Sequence, residues 1–300
     1  MKKYEEYIKK NKLGEVYNNK SFKDITTIKI GGKIMMLYYP NSIESFVLFY
    51  KYYLLFKDYK IVIIGNGSNI LANSKTFNGI VVCFKKCICK YFLYKNTITI
   101  NSGVLIMDVI NYLKDKNLGG FEKLSYIPAT IGGMIKMNAS CYNVNISDNL
   151  VSLKGINEKG EVILYKKEDL VFKYRYCNID DNFIILECVF NVYYNDKENI
   201  KKEINNIKQN RLTKYPLDKY NAGSTFKNPI GFKAWELIDK IGLRGFNIND
   251  ACVSTKHSNF LINNKSSNSE DMYNLIKIIK KKVKKEFNVI LEIEWIFINF

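Results

Sequence analysis

Ile61-Val62-Ile63-Ile64-Gly65-Asn66-Gly67-Ser68-Asn69, with Asn78-Gly79-Ile80-Val81-Val82-Cys83-Phe84 soon after, decides how the first half of this chain is read. Residues 61–64 form a short unbroken apolar run with β-branched character, the pattern of a buried strand. The glycine loop 65–69 follows at once. A second strand pattern begins at Ile80, after the turn pair Asn78-Gly79. Glycines placed just after a strand let backbone amides approach a pyrophosphate, and Ser68 and Asn69 add side-chain donors. The dinucleotide fingerprint of a doubly wound sheet is nevertheless incomplete. Its third glycine is missing, and only about a dozen residues lead to the next strand, too few for a helical crossover. Taken alone, the glycine pair fits a plain turn as well as a phosphate cradle.

Outward from this stretch, helices and strands alternate. Asn41 opens a helix with Glu44 at its third position, as in a capping box. Leu105, Ile106, Val109, Ile110 and Leu113 share a helix face that Leu118-Gly119-Gly120 ends. Segments 151–155, 161–165 and 183–192 read as strands. Ile200, Ile204, Ile207 and Arg211 have helical spacing. Residues 234–241 form a short helix stopped by Gly242. Met272, Leu275, Ile276, Ile279, Val283 and Phe287 form an apolar stripe behind an Asn268-x-x-Asp271 cap. In a terminal strand over 289–298, Val289, Leu291, Ile293, Trp295 and Phe297 share one face, while Ile290, Glu292, Glu294, Ile296 and Ile298 share the other. The fold class is α+β, with a boundary near residue 200 and a last strand that returns to the first half.

The chain has 300 residues, 47% hydrophobic and 25% charged, with only four prolines and no long flexible linker. That suits compact domains with short connections. The net charge is +17, yet only Arg175, Arg211 and Arg244 are arginines. The lysines are spread along the whole length, and the run at 280–285 lies on a solvated helix face. Nucleic-acid binding is therefore not expected, although a positive field favours small anionic substrates. The N-terminus lacks a signal-peptide pattern, and no window is apolar enough for a membrane helix. Seven scattered cysteines suit free thiols in a reducing cytoplasm. Cys83, Cys87 and Cys89 match no zinc spacing, and Cys87 and Cys89 would share one face of a strand, so no metal is expected.

Three further segments could carry chemistry. In 127–133, a proline-set turn at Pro128 leads through Ala129 and Thr130 to Gly132-Gly133, and Asn138 follows. A segment so free of side-chain bulk can lie flat along a cofactor; its alternative is a loop entering a buried helix. In 221–229, Ser224, Lys227 and Asn228 bring a hydroxyl, a cation and an amide beside a glycine. Ser224 could donate a proton, and Lys227 and Asn228 could meet a phosphate or base edge. A polar turn capped by Pro229 is the alternative. Arg175, beside Tyr174, suggests planar bidentate recognition of a carboxylate. Glu294 lies among isoleucines, where a carboxylate is costly unless paired or functional. His257 has no neighbouring carboxylate in sequence and reads as a hydrogen-bonded structural residue.

The ordered set of segments resembles the UDP-N-acetylenolpyruvoylglucosamine reductase family. It runs from TTIKIGG (26–32) through GNGSN, IPATIGG, MNAS, the Tyr174-Arg175 pair, RLTKYPL (211–217), NAGSTFKNP, LIDKIGLRG (237–245) and KHSNFLIN to LEIE, and spans nearly the whole chain. The absence of an aromatic insertion between 188 and 205 resembles the shorter of two subtypes. The resemblance implies an FAD-binding domain of the vanillyl-alcohol-oxidase type over 1–200, with subdomains of about 1–60 and 61–200 and 288–300 returning to it. A substrate domain over 201–287 would follow. It implies a cytoplasmic monomer that uses FAD and NADPH to reduce UDP-N-acetylglucosamine enolpyruvate in peptidoglycan synthesis. Gly65, Asn66, Gly67, Ser68, Asn69, Pro128, Ala129, Thr130, Gly132, Gly133, Asn138 and Arg211 would meet the flavin. Tyr174, Lys214, Lys227 and Asn228 would meet the UDP-sugar. Ser224 matches the proton donor, and Arg175 and Glu294 match the pair that binds the carboxylate and stabilises the enolate-like charge. Two departures stand out. Ala129 and Ser140 occupy positions where the family usually has glycine, so extra Cβ atoms are expected to tighten the flavin cleft. Trp295 and Ile296 stand where an aliphatic and a basic residue are common. A rival reading, an alcohol or hydroxy-acid oxidase on the same flavin domain, would not need NAGSTFKNP or Arg175.

Overall fold

The computed structural model of the chain describes residues 1–85 and 90–300, so the strand face that Cys87 and Cys89 are expected to share lies outside the described residues. Two compact units emerge. The first holds Met1–Asn18, Met35–Asn66 and Asn78–Gln209; the second holds Asn19–Ile34, Gly67–Phe77 and Asn210–Phe300.

Among the described residues, two larger sheets lie in the first unit. In the four-stranded sheet the order is Gly14–Tyr17, Ile34–Pro40, Phe77–Cys83, Lys60–Ile64. Lys60–Ile64 and Phe77–Cys83 are parallel neighbours, with Ile61 opposite Ile80 and Ile64 opposite Cys83. The short spacing read from sequence is thus a crossover without a helix, and it carries only the strand Ile70–Ala72. Asn78 and Gly79 are not a turn but lie inside the strand Phe77–Cys83, where its parallel ladder overrides their local preference. Tyr4, Ile8, Tyr38, Phe46, Phe49, Ile80 and Val82 form one core over this sheet.

The second sheet of this unit is antiparallel, in the order Val162–Lys166, Leu150–Ile156, Ile184–Asn191, Thr97–Asn101, Tyr91–Tyr94. Its core includes Ile98, Ile100, Val109, Leu113, Ile131, Leu153 and Phe190. Two helix ends differ from expectation. Ser42, not Asn41, caps Ile43–Leu54, accepting from the Ser45 amide at 3.1 Å. Ile106–Lys114 ends before Leu118-Gly119, which instead form a short strand against Tyr193–Tyr194.

The second unit has an antiparallel sheet ordered Tyr220–Ser224, Phe260–Asn263, Ala251–Val253, Asn247–Ile248. Ser269–Phe287 covers it with the expected stripe, and each fully buried side chain such as Leu275 or Ile279 contributes roughly 1.5–3 kcal/mol. Asn268 caps this helix, accepting from the amides of Glu270 and Asp271 at 2.8 and 2.9 Å. The terminal segment is mostly extended without a continuous ladder. Only Ile296–Ile298 is a strand, parallel to Ile70–Ala72, and an isolated bridge joins Ile293 to Phe226. The expected faces survive in part: Leu291 and Trp295 are buried, Glu292 is exposed and Glu294 is half-buried.

Candidate functional site

In the first unit, the end of strand Lys60–Ile64 meets the 127–133 segment. Asn66 Nδ2 donates to the Pro128 carbonyl at 2.5 Å. The segment is held antiparallel to residues 102–106: Ile106 N donates to Ala129 O at 3.2 Å, Ile131 N to Val104 O at 2.9 Å and Gly132 N to Ser102 O at 2.9 Å. Close approach explains the glycines. A Cβ on Gly65 would stand 2.1 Å from Thr130 Oγ1, and one on Gly132 would stand 2.7 Å from Ser102 Cβ. Ile131–Lys136 then forms a short helix whose first turn contains Gly132 and Gly133.

Two polar atoms beside this segment are buried without a hydrogen-bond partner among the described residues, Ser102 Oγ and Asn138 Oδ1. Asn138 Nδ2 is engaged, donating to Lys173 O at 3.0 Å. Glycine-lined backbone with unspent buried polar atoms fits a large flat cofactor with many acceptors and donors, so these residues suit FAD. Pro128 and Gly133 are exposed, while Ala129 is half-buried and Thr130 buried.

Tyr174 and Arg175 form the tip of a tight hairpin between Phe172–Lys173 and Tyr176–Cys177. Arg175 adopts φ +54, and its guanidinium lies 5.0 Å from the Tyr174 ring centroid. Its Nη1 donates to Ser140 Oγ at 2.8 Å. Ser140 thus gives Arg175 an acceptor, a contact that the sequence reading of that position as added bulk did not contain.

In the second unit, Gly67 takes φ +64, and a Cβ there would lie 2.3 Å from the Ile25 carbonyl oxygen. Thr27 N donates to Gly67 O at 3.1 Å, and Thr27 Oγ1 donates to Asn221 O at 2.6 Å. Ser68 is half-buried. Asn69 Nδ2 donates to the Glu294 carbonyl at 3.0 Å.

Ser224 ends a bulged strand. The register against Phe260–Asn263 slips between Asn221 and Ser224, and Gly223 takes φ +73 within the slip. Such a bulge re-aims the side chain that follows it. Asn221 Oδ1 accepts from Gly223 N at 2.9 Å, and Trp295 Nε1 donates to Gly223 O at 3.4 Å. Asn259, 3% exposed, then clamps the next residues. Its backbone carbonyl accepts from Thr225 N at 2.8 Å, its Oδ1 from Phe226 N at 3.0 Å, and its Nδ2 donates to Phe226 O at 2.8 Å. Sequence reading missed Asn259, since an amide that substitutes for a strand neighbour has no periodic signature.

Ser224 and Glu294 are brought onto neighbouring backbones here. Glu294 N donates to Thr225 O at 2.8 Å, and Lys227 N donates to Glu292 O at 2.9 Å. Lys227 Nζ also lies 3.3 Å from Glu292 Oε2, an exposed pair that adds little stability. Asn228 Oδ1 accepts from Ala234 N at 3.0 Å, fixing the turn at Pro229. Arg211 is 9% exposed, with its guanidinium 5.0 Å from the Tyr215 ring, while Lys214, one turn on, is exposed.

His257 is not the hydrogen-bonded ring expected from sequence. Its Nδ1 is buried without a partner among the described residues, and the ring packs among Tyr215, Trp235 and Phe260 at centroid distances of 5.2, 6.1 and 5.1 Å. Burial, helped by the charge of Arg244 and opposed by Asp239, pushes its pKa down to about 4. Among the described residues, no group of three His, Cys, Asp or Glu could hold a metal ion, and no helix is long and apolar enough to cross a membrane.

Comparison with known proteins agrees with this geometry. Residues 36–165 match an FAD binding domain, and residues 215–298 match the C-terminal domain of UDP-N-acetylenolpyruvoylglucosamine reductase. A reductase of that name from Clostridium tetani (strain Massachusetts / E88) is 36% identical over 285 residues, covering 95% of this chain and 92% of that protein. Another from Clostridium novyi (strain NT) is 37% identical over 283 residues, covering 93% and 91%. The crystal structure of the Thermus caldophilus UDP-N-acetylenolpyruvylglucosamine reductase superposes with a TM-score of 0.80 at 27% identity, covering 95% of this chain and 98% of that one. The architecture is accordingly α+β, an FAD-binding domain of the vanillyl-alcohol-oxidase type with a separate C-terminal domain. With relatives of that name 36–37% identical over 93–95% of its length, the chain belongs to the UDP-N-acetylenolpyruvoylglucosamine reductase family.

Proposed function

We propose that the chain is an FAD-dependent oxidoreductase that uses NADPH to reduce UDP-N-acetylglucosamine enolpyruvate to UDP-N-acetylmuramate, in peptidoglycan precursor synthesis. The observation that carries this reading is the bulged strand that presents Ser224 beside the backbone of Glu294, in a chain alike over 95% of its length to reductases of this name. The flavin is assigned to residues 1–200, with 288–300 returning to them, and the UDP-sugar to 201–287. The enzyme acts as a cytoplasmic monomer and requires neither nucleic acid nor a membrane.

Bound FAD supplies the two-electron relay between NADPH and the enolpyruvyl double bond. Gly65, Asn66, Gly67, Ser68, Asn69, Pro128, Ala129, Thr130, Gly132, Gly133, Asn138 and Arg211 would hold it. Glycine backbone at the cradle permits close approach, and buried polar atoms find their partners on the cofactor. Ser224 Oγ delivers a proton to the carbon bearing the carboxylate as the terminal carbon gains a hydride. Arg175 binds that carboxylate, because a guanidinium offers paired, planar N–H donors. Arg175 and Glu294 together stabilise the charge that develops next to the carboxylate. Tyr174, Lys214, Lys227 and Asn228 hold the UDP-sugar.

The test separates the two halves of the reaction under anaerobic conditions. Ser224→Ala is expected to bleach with NADPH at the wild-type rate, but to recover its flavin colour on adding the enolpyruvyl substrate at least about 100-fold more slowly. Recovery at the wild-type rate would remove the serine from its role. Steady oxygen consumption driven by an alcohol without NADPH would replace the whole reading by that of an oxidase.

A further inference from the structure

Arg175 sits at the tip of a hairpin in a left-handed conformation, φ +54, that costs a residue with a Cβ. Something must hold both its backbone and its long side chain. Two hydrogen bonds do so, and both come from one neighbouring stretch. Asn138 Nδ2 donates to Lys173 O at 3.0 Å, fixing the strand residue that leads into the tip. Arg175 Nη1 donates to Ser140 Oγ at 2.8 Å, fixing its tip.

Ser140 is itself well anchored. Ser140–Cys141 pairs with Val144–Asn145, with Ser140 opposite Asn145. The connecting residues Tyr142 and Asn143 both have positive φ, 49° and 59°, the geometry of a two-residue hairpin turn that matches strand twist. At the far corner, Asn145 N donates to Asp148 Oδ2 at 2.8 Å. A serine on such a frame offers a fixed acceptor. Because a hydroxyl is neutral, it orients the guanidinium without cancelling its charge, as a carboxylate partner would.

We propose that Ser140 is a positioning residue for Arg175, aiming the guanidinium at the substrate's carboxylate. The proposal rests on the reading of Arg175 as the carboxylate ligand. Glycine or alanine at 140 would remove this acceptor from the guanidinium.

The experiment uses the flavin-loaded enzyme in four forms: Ser140→Ala, Ser140→Thr, Arg175→Ala and the Ser140→Ala/Arg175→Ala double variant. Ser140→Ala is expected to slow flavin recovery by the enolpyruvyl substrate about tenfold. It should weaken equilibrium binding of UDP-N-acetylmuramate, read by calorimetry, by a similar factor, and leave bleaching by NADPH unchanged. Ser140→Thr keeps the hydroxyl and should stay within about twofold of wild type on both readouts. In the Arg175→Ala background, Ser140→Ala should add nothing, since the two residues act through one bond. The proposal is overturned if Ser140→Ala recovers at the wild-type rate while Arg175→Ala is slow, or if its defect persists undiminished on top of Arg175→Ala. Wild-type recovery and product binding in Arg175→Ala would instead remove the underlying reading of the arginine, and the proposal with it.

Discussion

The glycine segments at 65–67 and 128–133 and the serine strand at 220–228 are shaped by opposite means. The glycine segments leave atoms out. The serine strand and the turn leading into its neighbour Phe260–Asn263 put polar atoms where they cost something: Ser224 follows a bulge, Thr225 is 0% exposed and, among the described residues, His257 Nδ1 is buried without a partner. The difference teaches where each region is vulnerable. Positions defined by empty space fail when filled, whereas positions defined by an uncomfortable polar atom can gain stability when that atom is removed.

The largest expected effects fall in the glycine loop, and they are unequal. At Gly67 a Cβ would meet backbone, the Ile25 oxygen at 2.3 Å and the Thr26 Cα at 2.8 Å, with φ at +64 as well. Gly67→Ala is therefore expected to cost about 3 kcal/mol or more in urea unfolding. At Gly65 the obstacle is a side chain, Thr130 Oγ1 at 2.1 Å, while the Thr130 Cβ stands at 3.3 Å. Gly65→Ala should cost roughly 1–3 kcal/mol and lower flavin retention on purification. Adding Thr130→Ala should recover most of the stability at Gly65 and none at Gly67. Equal costs, with no relief from Thr130→Ala, would break the distinction between the two glycines.

Much of this was legible beforehand. Apolar periodicity located the strands at 61–64 and 151–155 and the long C-terminal helix, because side chains that enter a core must recur at the period of their element. The motifs singled out 65–69, 127–133 and 221–229, but did not show that Tyr220–Ser224 is a strand. What escaped was decided by contacts distant in sequence. Asn78-Gly79 is a turn pair in isolation, but pairing along Lys60–Ile64 holds it in a strand. The alternation over 289–298 predicted a strand, yet side-chain faces say nothing about whether a partner backbone is present over the full length. Ser140 looked like surplus bulk, since only the fold could bring Arg175 to its hydroxyl. Asn259 was equally silent, as its amide works by imitating a neighbouring strand at Phe226.

A smaller and pH-dependent effect sharpens the second half of the comparison. His257 is the only histidine, so its imidazole signals can be followed without ambiguity. Its folded pKa is pushed down to about 4, below the ordinary value of 6.5. The unfolded chain therefore takes up this proton first, and between about pH 6.5 and 4 it binds more protons than the folded chain. Stability from this group is fully present above that window and falls as pH drops through it. The slope is at most about 1.4 kcal/mol per pH unit, and less because the ring is partly exposed. Proton NMR should give a titration midpoint near 4, and His257→Phe should flatten the acid limb of the stability curve. A midpoint near 6.5 would mean that the aromatic nest does not exclude water.

The smallest expected effect has the opposite sign from the glycine substitutions. Thr225 Oγ1 is buried without a hydrogen-bond partner among the described residues, so the folded chain bears the cost of dehydrating a hydroxyl and receives nothing for it. Valine has the same branched shape and keeps the strand preference. The backbone bonds from Thr225 N to Asn259 O and from Glu294 N to Thr225 O, each 2.8 Å, do not involve the hydroxyl and should survive. Thr225→Val is therefore expected to raise stability by about 1 kcal/mol, read as a higher urea midpoint at unchanged slope. Because Ser224 is held by the bulge and by the Asn259 clamp, the rate of flavin recovery should not change. A loss of stability would show that the hydroxyl has a bonded partner in solution, and the serine strand would then no longer differ from the glycine loop in the way described.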